Sequence, residues 1–253
     1  MSTSDVLPGA EPLSHEGSTT VGVLVLHGFT GNPSSMRGVA EAMVELGHHV
    51  EMPRLPGHGT TIEEMLDTGW AEWTGEVAAA HARLTDRVDS VVLAGLSMGG
   101  ALTLWAGLEL PEVAGLVCIN PATVPQPPEV IEMLREMVAD GTEIAPAIGG
   151  DIADPDAVEI AYDGVPLRAM LSLMDGVQSI TGRFGELTMP LLLITSRQDH
   201  VVDPASSEYL AAEYGGDVEH VWLERSYHVA TQDYDADDIN RRTGEFVARL
   251  SAG

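Results

Sequence analysis

The stretch SVVLAGLSMGGALTLWA, at residues 90–106, passes from an apolar β-branched run into a serine between glycines and then into a helical pattern. Residues 95–99 match G-x-S-x-G, in which a tight turn from strand to helix lifts the serine hydroxyl clear of a sheet. Glycine permits such a turn because it lacks a Cβ atom. The string also arises by chance in ordinary loops, but the strand and helix patterns around it favour Ser97 as a nucleophile.

Apolar segments of strand length recur on both sides of this turn. They alternate with stretches whose apolar residues have helical spacing, which predicts an α/β fold with a mostly parallel sheet and helices on both faces. The predicted strands cover residues 21–26, 49–52, 90–94, 114–119, 191–195 and 218–223, and the predicted helices cover residues 34–46, 70–84, 99–110, 204–214 and 235–250.

One segment, residues 121–185, is too long for an ordinary connection between strands. It opens with PATVPQPPEV and continues through an acidic passage rich in glycine and proline. We expect residues 121–165 to form a lid inserted over the carboxyl edge of the sheet, followed by a returning helix near 166–185. The predicted α/β core then comprises residues 1–120 and 166–253.

The charge of the chain limits its partners. Among 253 residues, 39 are acidic and 12 are basic, every basic residue is arginine, and the net charge is −27. Such a surface repels nucleic acid phosphates and anionic lipid headgroups, so we expect a small neutral partner and no nucleic acid. A solvated acidic surface explains the charge, and adaptation to salt is an alternative explanation. The sequence leaves the oligomeric state open.

Three further features of the sequence limit the class of protein to which it can belong. The early apolar run at 21–26 is too short to span a bilayer, and the first residues lack the regions of a signal peptide, which predicts a cytoplasmic protein without stable membrane insertion. The single cysteine, Cys118, lies in AGLVCIN and is expected in the core. The histidines lack the spacing of metal ligands, so we expect neither a metal nor a cofactor.

A serine nucleophile requires a base, and the base requires an orienting acid. Asp199 follows one predicted strand and His228 follows the next. The order Ser, Asp, His, each at the end of a strand, is that of α/β-hydrolases and predicts the triad Ser97, Asp199 and His228. Asp203 is an alternative acid, although its place before Pro204 is typical of a helix cap. His200 is expected to be an ordinary surface histidine.

An oxyanion hole requires two preorganised backbone donors. The amide of Met98 directly follows the nucleophile, and LHGFTG at 26–31 ends the first parallel strand, which predicts that the Phe29 amide lies near Ser97. The stretch RLPGHGTT at 54–61 could bind phosphate, but it lacks the lysine of a Walker loop. We therefore interpret it as a structural turn.

Several segments together resemble those of bacterial monoacylglycerol lipases and, next, thermostable carboxylesterases, over about residues 21–250. They are HGFTGNPSSMR, PRLPGHGTT, GLSMGGAL, SRQDHVV and SYHVAT. The resemblance implies an α/β-hydrolase fold with the same triad and the same two oxyanion donors. AIGGDIADPDAVEIAY at 147–162 is similar to the lid of those lipases, which implies that Ile148 lines the acyl entry and Glu159 faces the glycerol end. The chain departs from the family in its lack of lysine and in the proline-rich opening of the lid.

The leading hypothesis is a serine ester hydrolase that cleaves monoacylglycerol to fatty acid and glycerol through an acyl-enzyme. A carboxylesterase for small neutral esters is the alternative, and a ligand-binding module on the same fold is a second alternative that the intact catalytic set disfavours. For Glu159 we expect a helical turn that directs Val158 and Ile160 towards the core and lid and lets the carboxylate reach the site. A solvated lid glutamate is the alternative.

Overall fold

The computed structural model describes residues 5–147 and 150–251. The strands within them are β1 (Leu13–His15), β2 (Val21–Leu26), β3 (His49–Met52), β4 (Ser90–Leu96), β5 (Val113–Ile119), β6 (Ile144–Pro146), β7 (Gly164–Pro166), β8 (Leu191–Ser196) and β9 (Val218–Leu223). Seven of these strands form one sheet in the order β1-β3-β2-β4-β5-β8-β9, and all neighbours are parallel except β1 and β3. The other two, β6 and β7, pair antiparallel in a separate small sheet.

Helices cover both faces of the large sheet. They are α1 (Arg37–Glu45), α2 (Ile62–Met65), α3 (Trp70–Thr85), α4 (Met98–Glu109), α5 (Pro128–Ala139), α6 (Leu167–Ile180), α7 (Ala205–Glu213) and α8 (Ala236–Ser251). Short 3-10 helices cover Pro33–Met36, Phe184–Glu186 and Ala230–Gln232.

Strand β2 shows why the sheet has two cores. Successive side chains of a strand point to opposite faces. Leu24 and Leu26 therefore pack in the core with α3 and α4, whereas Val23 and Val25 pack in the core with α1 and α8. All six residues of the strand are buried. A strand buried on both faces reads as a continuous apolar run rather than an alternating one.

All six predicted strands are present, and the stretch predicted as a returning helix contains α6. The predicted helix at 34–46 instead begins as the 3-10 helix Pro33–Met36. Strand β1 was missed because LSH is short and lies at the antiparallel edge. The segment after β5 also holds a helix and two strands that its proline-rich composition did not indicate. The lid assignment of residues 121–165 stays a prediction.

The segment after β5 packs on the loops that follow β2 and β3. Tyr162 donates its backbone N–H to the carbonyl of Thr30 at 3.1 Å. Its hydroxyl accepts from the Thr60 amide at 3.0 Å and donates to the Gly57 carbonyl at 2.9 Å. The stretch RLPGHGTT thus acts as a structural turn that holds this segment in place. None of the helices in residues 5–147 and 150–251 combines the length and the apolar character needed to cross a membrane.

Candidate active site

Ser97 lies in a sharp turn between β4 and α4, with φ 56° and ψ −115°. A Cβ atom at Gly95 would lie 2.1 Å from the Gly99 carbonyl oxygen, and one at Gly99 would lie 2.2 Å from the Leu26 carbonyl oxygen. Both positions therefore require glycine, because neighbouring backbone atoms lie too close for any side chain. A non-glycine residue at positive φ is costly and is found where function requires it, as in the nucleophile turn of hydrolases.

The structure brings the other two predicted triad residues together. Nδ1 of His228, on the loop after β9, lies 2.7 Å from Oδ2 of Asp199, on the loop after β8. The second oxygen of Asp199 accepts the amides of Val201 and Val202, each at 2.8 Å. When Nδ1 keeps its proton and donates it in a hydrogen bond to the carboxylate, Nε2 of the imidazole is free to accept a proton. Ser97 and His228 line the same cavity.

The neighbouring candidates have other partners. Asp203 Oδ1 accepts the Ala205 amide at 2.9 Å, so this carboxylate caps the start of α7. His200 is exposed, as expected of a surface histidine, but it is not isolated. Its Nδ1 lies 2.8 Å from Oδ1 of Asp151, a residue of the segment between β6 and β7.

The loop after β2 passes directly beside the nucleophile. A Cβ atom at Gly28 would lie 3.5 Å from Cβ of Ser97, and Phe29 lines the cavity. His27 Nε2 accepts the Leu55 amide at 3.1 Å, so its Nδ1 carries the proton and donates to the Gly28 carbonyl at 2.9 Å. Because the C=O and N–H of one planar peptide point in opposite directions, this bond fixes the direction of the Phe29 N–H. The second predicted donor, Met98, is buried at the first position of α4.

A cavity of about 580 Å³ opens at the carboxyl edge of the sheet, beside Ser97 and His228. This volume is typical of small-molecule sites. Helix α6 contributes one apolar face to its wall, with the spacing i, i+3, i+4 and i+7. These residues are Met170, Leu173, Met174 and Val177.

Glu159 also lines the cavity. Burial raises the pKa of its carboxyl, and the charge of His228 partly opposes this shift. The predicted helical turn around it is wrong, because residues 157–162 are irregular. Val158 is 77% exposed and Ile160 is 38% exposed, so neither is directed into the core as expected. The remaining predicted contact residue, Ile148, lies outside the described residues.

The sequence patterns indicated no role for two residues at the site. Asn120, at the end of β5, donates its Nδ2 to the His228 carbonyl at 2.8 Å and accepts the Ser196 amide at 2.7 Å. Asp151 contacts the loops of both His228 and Asp199. Asn120 was visible as the polar end of an apolar strand, whereas no local pattern distinguished Asp151 from its acidic neighbours.

Comparison with known protein families gives a match over most of the chain. A family model described as "Serine aminopeptidase, S33" covers residues 18–235. The chain belongs to this family. Membership in the S33 family confirms the prediction of a serine hydrolase. The matched range includes all three predicted triad residues.

Members of known activity are similar over almost the whole chain. The thermostable monoacylglycerol lipase of Bacillus sp. (strain H-257) is 37% identical, with 96% of each chain covered. The carboxylesterase of Bacillus subtilis (strain 168) is 26% identical over 95% of this chain and 97% of that protein. A solved structure from work on the metagenome-derived lipolytic enzymes LipS and LipT is 41% identical, with a TM-score of 0.91, and covers 97% of this chain and 100% of that one. These similarities confirm the predicted α/β-hydrolase fold.

Proposed function

We propose that this chain is an ester hydrolase that cleaves monoacylglycerols to fatty acid and glycerol. One observation carries the proposal: His228, whose Nδ1 lies 2.7 Å from the Asp199 carboxylate, borders the same cavity as a serine held in a strained turn. A nucleophile, a base and an orienting acid at one edge of a sheet are the parts that acyl transfer requires.

The proposed reaction proceeds through an acyl-enzyme. His228 Nε2 removes the proton from Ser97 Oγ as the oxygen attacks the ester carbonyl. The resulting oxyanion accepts hydrogen bonds from the Phe29 and Met98 amides. His228 then gives its proton to the departing glycerol oxygen and later activates the water that releases the fatty acid. Asp199 holds the imidazole tautomer and stabilises the imidazolium throughout.

The walls of the cavity support a substrate with one acyl chain and a small polar alcohol. The apolar face of α6 suits an alkyl chain, because apolar contacts are non-directional and scale with buried area. Glu159 supplies an acceptor for the free hydroxyls of glycerol. Residues 121–165 form the lid in this proposal, since Gly150, Glu159 and Tyr162 all border the cavity. The monoacylglycerol lipase among the relatives supports the same substrate class.

A carboxylesterase for small neutral esters is the second candidate. The similarity to the Bacillus subtilis carboxylesterase favours it. The two candidates share the chemistry at Ser97 and differ in whether the cavity recognises the glycerol hydroxyls.

Hydrolysis of graded monoacylglycerols, diacylglycerols, triacylglycerols and p-nitrophenyl esters tests the proposal. We expect the highest kcat/KM on monoacylglycerols. Ser97→Ala should lower kcat by several orders of magnitude on every substrate, which leaves only about 10³- to 10⁴-fold catalysis over water from binding and the oxyanion hole. A Ser97→Ala protein that keeps a tenth of the wild-type rate contradicts the assignment of the nucleophile.

Glu159→Ala distinguishes the two candidates. A hydrogen bond to a charged acceptor contributes about 1.5–3 kcal/mol, so kcat/KM for monoacylglycerol should fall by roughly tenfold or more. The rate on a p-nitrophenyl ester, which has no glycerol hydroxyls, should be nearly unchanged. Glu132→Ala, at an exposed position of α5, is the matched control. Equal losses on both substrates, or no loss on either, would favour the carboxylesterase.

A further inference from the structure

Asp151 contacts both loops that carry the base and the acid. Its Oδ2 accepts the backbone amide of His228 at 3.1 Å and that of His200, the neighbour of Asp199, at 3.0 Å. Its Oδ1 lies 2.8 Å from the His200 imidazole Nδ1. Its own carbonyl accepts the Val229 amide at 3.0 Å. A single residue from the segment between β6 and β7 therefore connects two loops that belong to different strands.

These contacts fix the backbone of the base from one side, and Asn120 fixes it from the other. The N–H of His228 donates to Asp151, and its C=O accepts from Asn120 Nδ2 at 2.8 Å. The bond from the imidazole to Asp199 alone leaves the backbone free to shift. With both backbone groups held and the ring held by Asp199, the position of Nε2 relative to Ser97 is set.

The segment that carries Asp151 is itself attached to the loop of His228. Asp233 is buried, and its carboxylate accepts the amides of Ala153 at 2.8 Å and Asp154 at 3.1 Å. The same carboxylate accepts the Tyr227 amide at 2.9 Å. Asp233 therefore holds the segment against Tyr227, the residue before His228. This contact keeps Asp151 next to the His228 backbone.

Asp151 is suited to this task as a carboxylate. Burial acts to raise its pKa, but hydrogen bonds from the amide and imidazole of His200 and from the His228 amide outweigh burial and hold the pKa below its usual range. The side chain is 13% exposed. Although Asp151 borders the cavity, both of its oxygens are already engaged by N–H groups of the protein.

We propose that Asp151 is a positioning residue for the reaction: it joins the loops of Asp199 and His228 and sets the distance between the base and the nucleophile. This inference rests on the proposed function, because it assumes that Ser97 and His228 act together. It also assigns the predicted lid a second task, which is to complete the support of the base as well as to cover the cavity.

Steady-state kinetics of Asp151→Ala and Asp151→Asn on p-nitrophenyl butyrate test the proposal. Displacement of a catalytic group by about 1 Å costs up to about 100-fold, so we expect Asp151→Ala to lower kcat by about 10- to 100-fold with little change in KM. Asn retains an oxygen that can accept the two backbone amides. Asp151→Asn should therefore keep kcat within about threefold of wild type, since the acceptor matters more than the charge.

A spectroscopic measurement separates positioning from general stability. The His228 Nδ1 proton, held by Asp199, gives a deshielded NMR resonance that Asp151→Ala should broaden or abolish and Asp151→Asn should retain. Asp156→Ala, an exposed acidic position in the same segment, is the control for loss of charge. Melting temperatures of all variants show whether they are folded at the assay temperature.

The outcomes distinguish this inference from the proposed function. If Ser97→Ala abolishes turnover while folded Asp151→Ala retains wild-type kcat and the resonance, the positioning role is wrong and the hydrolase assignment stands. Equal loss of kcat in Asp151→Ala and Asp151→Asn also overturns the positioning role, because the charge of Asp151 rather than its support of the backbone would then determine kcat. If Ser97→Ala retains activity, the proposed function itself fails.

Discussion

Two carboxylates four positions apart, Asp199 and Asp203, have different tasks because their oxygens have different partners. Asp199 is almost fully buried and divides its oxygens between the His228 imidazole and the amides at 201 and 202. Asp203 is exposed and accepts the amide of Ala205 at the start of α7. At the scale of single residues, hydrogen-bond partners rather than residue type determine which carboxylate orients the base.

We expect Asp199→Asn to lower kcat by about 10³- to 10⁴-fold, because an amide no longer holds the imidazole in the tautomer that accepts the serine proton. Asp203→Ala should leave kcat nearly intact and lower the free energy of unfolding by about 0.5–2 kcal/mol through loss of the cap. Asp203→Asn should be close to neutral, since Asn caps as well as Asp. Kinetics and urea unfolding of the three variants measure both effects, and an exchange of the two phenotypes would reassign the acid.

At the scale of elements, a cluster of four rings connects the loop after β2 with its neighbours. His58 lies 5.0 Å from His27, 6.3 Å from Phe29 and 5.7 Å from Trp73 between ring centroids, and Phe29 lies 5.9 Å from Trp73. The cluster joins the loops after β2 and β3 to α3. Burial lowers the pKa of His27 well below its usual value and that of His58 to about 4. Both rings are therefore neutral at neutral pH.

This cluster should make the fold sensitive to acid. The unfolded chain binds protons at these histidines near pH 6.5, whereas folded His58 does so only near pH 4, so the unfolded state gains protons first. The stability that neutral His58 supplies is present above about pH 6.5 and is lost as pH falls towards about 4. His58→Gln should reduce the difference in melting temperature between pH 7.5 and pH 5, by differential scanning calorimetry. An unchanged difference would mean that His58 is not the group responsible.

At the scale of the whole molecule, acidic side chains greatly outnumber basic ones. The net charge is −27, and all twelve basic side chains are arginines. Some of these arginines bridge two carboxylates, as Arg183 does with Glu109 and Glu186 at 2.7 and 3.0 Å. The 39 acidic side chains nevertheless outnumber the 12 arginines by more than three to one, and like charges at this density oppose the compact state.

Added salt should therefore stabilise the protein. At about 0.1 M salt the Debye length is already about 10 Å, and it shortens to about 3 Å at about 1 M, which screens repulsion between neighbouring carboxylates. We expect the melting temperature to rise from low salt to about 1 M NaCl. The rise should be smaller near pH 5, close to the isoelectric point of 4.3, where the net charge is smaller. A flat or falling curve at neutral pH would show that the charges are too widely spaced to matter.

The sequence by itself determined six of the seven strands of the large sheet and the chain order of the predicted triad. Strands buried on both faces appear in the sequence as continuous apolar runs. The turn at Ser97 depends on glycines within two positions of it. Both signals are therefore local. The predicted triad of Ser97, Asp199 and His228 followed from the rule that parallel strands end at one edge of the sheet. Its three residues could therefore be named before any distance was known.

Only the tertiary structure decided how the insertion meets the site. Asp151 contacts residues 49 and 77 positions away, and Asn120 contacts a carbonyl 108 positions away. The expected helical turn at Glu159 failed because an irregular segment, fixed by contacts such as Tyr162 to Thr30, has no period that directs alternate side chains inward. Side-chain direction in such a segment depends on its distant partners, and partners so far apart in the chain leave no local pattern in the sequence.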